Sequence, residues 1–251
     1  MLLAIDIGNS STKFGLFGPG GLIAAARTNY DRGSGSPGLP RGIMKASVRP
    51  EHAIISSVVP GYEAEYAGLL QKEFGIESKT AGHSLDFGLT IRYRPPEDCG
   101  IDRILAAAAA REMAGLPSIV CDFGTATTID AVDAEGTFLG GTISPGIGLL
   151  AETLHGKTAK LPMVVIGEPP GVIGDSTANS IRSGIYYGYT GLVDGLIARI
   201  MKELGEDANV IATGGNAGLI APASRFISTI EPNLVLEGLA LVHRRNFGTR
   251  E

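Results

Sequence analysis

Asp6-Ile7-Gly8-Asn9-Ser10-Ser11-Thr12 and, about one domain later, Asp122-Phe123-Gly124-Thr125-Ala126-Thr127-Thr128 are two versions of one phrase. An apolar, strand-like run precedes each Asp (Leu2 to Ile5; Ile119 to Cys121), and another follows each turn (Lys13 to Phe17; Ile129 to Val132). Each copy therefore reads as strand, tight polar turn, strand. The spacing is too long for a solenoid and suits a duplicated domain. A glycine two residues after an aspartate permits turns that aim successive N–H groups at a phosphate, and the carboxylate offers a place for Mg²⁺. One such turn is an ordinary β-turn; two, each followed by hydroxyl residues, point to a nucleotide site. Gly214-Gly215, after the strand expected at Asn209 to Thr213, is a third place where backbone could approach a nucleotide.

Working outward, a strand is expected at Ala53 to Val59, stopped by Pro60, then a helix from Glu63 to Phe74. The Gly-, Ser- and Pro-rich stretch Arg32 to Arg41 reads as a surface loop. Ile101 to Ala114 is an Ala-rich helix ended by Gly115 and Pro117, and the domain boundary is placed there, giving domains 1–116 and 117–251. The second half continues with strand Ser118 to Phe123, a hairpin about Asp133–Gly136, and a helix through His155. A long helix from about Ser176 to Leu204 follows, with Asp175, Ser176 and Thr177 as capping candidates, and the tail Glu237 to Arg245 reads as helical. Strands alternate with helices, so the class is α/β.

Composition narrows the function. With 251 residues, 44% hydrophobic and 19% charged, the chain has material for two cores. A net charge of −5 without a Lys/Arg stripe argues against nucleic acid as the partner. Cys99 and Cys121 make no disulfide framework and read as reduced, buried residues. No signal segment or apolar run of bilayer length is visible, so a cytoplasmic location off the membrane is expected. No His/Cys spacing suggests zinc, there is no P-loop, and Gly33–Gly38 lacks the context of a nucleophile elbow.

The paired turns resemble those of actin, the sugar kinases and the heat-shock chaperone ATPases, whose two related, ribonuclease H-like domains clamp ATP between them. Six segments narrow the likeness to the type III pantothenate kinases: Asp6 to Ser10, Ser56 to Pro60, Tyr93 to Arg103, Asp122 to Thr128, Gly140 to Gly146 and Thr177 to Gly184. The resemblance implies ATP-dependent phosphorylation of pantothenate to 4′-phosphopantothenate, the first step of coenzyme A biosynthesis. It makes Asp102 the catalytic base; by position alone Asp102 serves equally as a cap or dipole complement at the helix start. It assigns pantothenate contacts to Tyr93, Gly100, Ile101, Asp102, Arg103 and Thr177, with Arg103 on the carboxylate. The ATP phosphates fall to Asp6, Ile7, Gly8, Asn9, Ser10, Ser11, Thr12 and Lys13, and Thr125 to the nucleotide. Asp6 would hold Mg²⁺, directly or through water, and Asp122 a monovalent cation, K⁺ or NH₄⁺. It also implies a homodimer whose partner chain helps complete these sites. The helix stripe Ile185, Tyr189, Leu192, Leu196 and Ile200 is either that interface or the domain's own core. Ser10 for Thr, Ile101 for a small residue and Cys99 for an apolar one are departures that remove no functional group. Two rival functions are another small-molecule kinase on this scaffold, separable by a panel of acceptors, and a non-catalytic regulator, which would bind nucleotide without turnover.

Overall fold

The computed structural model describes residues 1–29, 38–44 and 49–248. Most of the stretch expected as a loop at Arg32–Arg41 lies outside them. The chain forms two compact units, Met1–Glu112 with Asn233–Glu251, and Met113–Pro232.

The first unit contains β1 (Leu2–Ile7), β2 (Ser11–Gly18), β3 (Gly21–Asn29), the short α1 (Arg41–Met44), β4 (His52–Ser57), α2 (Tyr62–Phe74), β5 (Ser78–Thr80) and β6 (Thr90–Ile91). The Ala-rich α3 (Ile101–Ala114) follows and ends at the unit boundary. Its sheet runs β3-β2-β1-β4-β5, antiparallel on the β3 side and parallel on the β5 side. All of β1 is buried, as expected for a strand covered on both faces. Leu3, Ile5 and Ile7 point to one face, where they pack with Phe14, Leu16, Ile55, Ile43 of α1, and Tyr66 and Leu70 of α2.

The second unit contains β7 (Ser118–Phe123), β8 (Ala126–Val132), β9 (Thr137–Pro145), α4 (Ile147–Lys157), α5 (Thr177–Leu204), β10 (Asn209–Thr213), α6 (Ala217–Ile220) and β11 (Thr229–Ile230). Within it the strands run β9-β8-β7-β10-β11, again antiparallel on one side of the first strand and parallel on the other. The repeated phrase has thus become a repeated sheet. Both copies share one strand order and place an aspartate fifth of six residues in the central strand. Ile185 and Tyr189 of α5 belong to this unit's core with Val193 and Ile197, while Leu196 and Ile200 pack partly against it. Of the stripe considered as an interface, only Leu192 is exposed, at 40%. Tyr189 reaches across the core to hydrogen-bond its hydroxyl with Thr127 Oγ1.

The tail departs from the simple cut at residue 116. Its helix, α7 (Leu234–Phe247), returns to the first unit and packs on β1, β2 and β4. Gly238 permits the docking against α3, since a Cβ there would lie 2.1 Å from the Leu105 carbonyl oxygen. Asn246 and Arg245 then fasten the helix to the loop at Asp86: the Asp86 N–H donates to Asn246 Oδ1 at 2.9 Å, and Arg245 Nη2 donates to the Asp86 carboxylate at 2.9 Å. Among the described residues no helix is long and apolar enough to cross a membrane.

Candidate active site

Pairing of β1 with β4 sets the first carboxylate. Asp6 lies opposite Ser56 across the parallel ladder, and the Ser56 hydroxyl donates to Asp6 Oδ1 at 3.0 Å with both residues buried. The bond fixes the direction of the carboxylate. Across the antiparallel ladder Asp6 faces Lys13, so alternation puts Ser11 and Lys13 on the Asp6 face. Ile7 and Thr12 turn to the core face, and both are fully buried. Of the eight residues expected around the ATP phosphates, these two could therefore offer only backbone groups.

The Gly8 N–H donates to the Ser11 carbonyl at 3.0 Å, so this donor is used inside the turn. Neither Gly8 nor Gly124 has a positive φ. Glycine is favoured at Gly8 for close approach, because a Cβ would lie 3.3 Å from the Ser11 carbonyl oxygen. Asn9 and Ser10 stand exposed at the tip.

The second carboxylate is braced differently. Asp122 pairs with Thr128 on β8 and with Thr213 on β10. Gly214, at φ +92°, lies so close that a Cβ would meet Asp122 Oδ1 at 2.4 Å and the Phe123 backbone at 2.6 Å. That close approach, together with the left-handed φ, makes glycine obligatory there. Asn216 holds the turn from behind, its backbone N–H donating to the Phe123 carbonyl at 3.1 Å and its Nδ2 at 3.3 Å. The N–H of Gly146, the cap of α4, donates to the Thr125 carbonyl at 3.0 Å, leaving the Thr125 side chain exposed at the turn. Thr213 is fully buried, and its Oγ1 has no hydrogen-bond partner. Cys121, one residue before Asp122, is sealed in the core; burial, then the carboxylates of Asp130, Asp122 and Asp194, push its thiol far up, so it is no nucleophile.

At the head of α3 a carboxylate and a guanidinium stand side by side. The Arg103 N–H donates to Asp102 Oδ1 at 2.9 Å and to the Gly100 carbonyl at 3.1 Å. The Asp102 carboxylate leans back over Gly100, where a Cβ would lie 2.5 Å from Oδ1. The Arg103 guanidinium sits 5.4 Å from the centre of the Tyr93 ring, a cation–π pair that orients it. Tyr93 thus braces the Arg103 guanidinium. Ile101 and Cys99 are buried, at 6% and 1% exposure, so the bulk of Ile101 goes into the core rather than a substrate pocket. Thr177 is the exposed first residue of α5 and is not its cap; Ser176 is, its hydroxyl accepting the Asn179 N–H at 3.3 Å. Beside it, the hydrogen bond from Asn179 Nδ2, 2.7 Å long, holds Asp175 below the usual carboxylate range.

Each unit thus gathers part of the expected set: Asp6, Ser11 and Lys13 on one sheet face and Tyr93, Gly100, Asp102 and Arg103 around one helix start in the first; Asp122 and Thr125 around one turn in the second, with Thr177 heading α5. Ser56, Thr213 and Asn216 were not foreseen as site residues. A sequence signal existed for Ser56, a serine pair closing an apolar strand just before Pro60. Among the described residues no group of three or more His, Cys, Asp or Glu is placed to hold a metal.

Residues 2–199 match the family model described as type III pantothenate kinase. A Paramagnetospirillum magneticum protein named type III pantothenate kinase is 42% identical, covering 98% of this chain and 98% of its own length. Among solved structures, a Campylobacter jejuni protein assigned to the Baf family of transcriptional activators superposes with a TM-score of 0.62 at 19% identity, over 96% of this chain and 97% of that one. A ROK family glucokinase from Streptomyces griseus superposes with a TM-score of 0.54 at 10% identity, over 97% and 99%. At such identities the structural matches speak for the fold alone, and that fold is the two-domain architecture of the actin-like ATPases and sugar kinases.

Proposed function

The chain belongs to the type III pantothenate kinase family, and from that premise we propose that it phosphorylates pantothenate to 4′-phosphopantothenate with ATP, opening coenzyme A biosynthesis. The observation that carries this proposal within the molecule is the head of α3, where Asp102 and a Tyr93-braced Arg103 stand adjacent. Asp102 takes the proton of the primary hydroxyl as that oxygen bonds to the γ-phosphorus; the bond from γ-phosphorus to the bridging oxygen breaks, and ADP leaves. Arg103 binds the pantothenate carboxylate through its planar fork, which lysine could not copy. Thr177, which does not cap α5, contacts the substrate, and Thr125 the nucleotide.

Asp6, aimed by Ser56 on the face it shares with Ser11 and Lys13, fits a magnesium ligand, and Asp122, on the face it shares with Thr213, fits a monovalent cation such as K⁺ or NH₄⁺. When bound, these ions supply positive charge against the phosphates. A homodimer and a cytoplasmic location complete the proposal, on the family's account alone. The test is Asp102→Asn: pantothenate-dependent ADP release should fall at least ~100-fold while nucleotide binding persists. Full activity in the purified variant would overturn the assignment.

A further inference from the structure

We propose that Thr213 belongs to the second carboxylate site, lending its hydroxyl oxygen to the monovalent cation held beside Asp122; this rests on the cation assignment above. β7 and β10 are parallel, and Asp122 is the register partner of Thr213. Their neighbours Cys121, Phe123 and Ala212 lie in the core, so alternation turns Asp122 and Thr213 together to the opposite face. Thr213 is fully buried, yet its Oγ1 has no hydrogen-bond partner. A buried hydroxyl so left is a net cost to folding, and valine, nearly the same shape, would avoid that cost.

The first unit shows the alternative. There the equivalent residue, Ser56, donates to Asp6 Oδ1 at 3.0 Å. Thr213 does not repeat that bond, and Asp122 Oδ1 lies toward the turn, against Gly214 and Gly124. The hydroxyl therefore shares a sheet face with the carboxylate and is not hydrogen-bonded to it. One carboxylate with a neutral hydroxyl oxygen suits a large monovalent cation.

Cation binding can be read without substrates. The melting temperature is measured as KCl replaces NaCl at constant ionic strength, and thallium(I) nitrate is titrated calorimetrically in chloride-free buffer. Wild type and Thr213→Ser should respond. Thr213→Val should bind thallium(I) at least ~10-fold more weakly, while melting in sodium no lower than wild type, as loss of an orphaned hydroxyl predicts. Thr213→Cys, which swaps a hard oxygen for a soft sulfur, should shift preference from K⁺ toward Tl⁺. If Thr213→Val binds within twofold of wild type while Asp122→Asn loses binding, Thr213 is excluded and Asp122 stands. An unchanged preference in Thr213→Cys also counts against Thr213. Binding retained by Asp122→Asn, or a wild type unresponsive with and without ADP, would overturn both assignments.

Discussion

The two Asp-x-Gly hairpins share a strand order, a carboxylate position and a hydroxyl residue in register on the neighbouring parallel strand, and they differ in what that hydroxyl does. In the first, Ser56 donates to Asp6 and commits one of its oxygens. In the second, Gly214 brings backbone against Asp122, Asn216 ties the turn from behind, and Thr213 keeps its hydroxyl. The second connection is also one residue shorter, Phe123 pairing with Thr127 where Ile7 pairs with Thr12. A duplicated scaffold thus keeps its backbone geometry while the surroundings of its two carboxylates diverge. One is aimed by a hydrogen bond; the other is walled in by glycine next to a neutral oxygen.

Gly214→Ala attacks the second site where it is tightest. It forces a left-handed φ on alanine and a contact with Asp122 and Phe123, so a loss of roughly 2–5 kcal/mol in chemical denaturation is expected. A variant as stable as wild type would show that glycine does not define this site. Ser56→Ala attacks the first site more gently. Removing a buried hydrogen bond to a carboxylate should cost about 2 kcal/mol and raise the magnesium concentration needed for half-maximal turnover. An unchanged magnesium dependence would mean that Ser56 does not aim Asp6.

The smallest effect concerns the returning helix, found only in the first unit. His243 of α7 is held below the usual histidine value of 6.5 by burial first, then by His52, Arg244, Lys79 and the N-terminal ammonium. Folded, it stays neutral where the unfolded chain binds a proton, so its contribution to stability is present above about pH 6.5 and is lost as pH falls below that value. His243→Gln should flatten the acid side of the stability profile measured by chemical denaturation. An identical profile would remove His243 from the account.

Much of this was legible because the repeat is local. Strand, turn and strand are neighbours in sequence, and α3, β7 and β10 end where Gly115, Gly124 and Gly214 punctuate the chain. The two sheets' parallel pairings were not legible, because β1 finds β4 and β7 finds β10 across long separations. Ser56 and Thr213 were missed as site residues for that reason. Alternation along β1 alone turns Ile7 away from Asp6, whereas the face of Thr12 depends on the hairpin register, which only the structure supplies. The returning α7 escaped notice because nothing in its composition distinguishes a helix that covers the first sheet from one that covers the second.

The sharpest test asks whether the two equivalent aspartates do different work. Pantothenate-dependent ADP release is measured in potassium and in sodium for wild type, Asp6→Asn and Asp122→Asn. The account predicts that wild type is faster in potassium, that Asp6→Asn loses turnover in both salts, and that Asp122→Asn loses mainly the difference between them. Two variants with the same salt response, or ADP release indifferent to pantothenate, would contradict it.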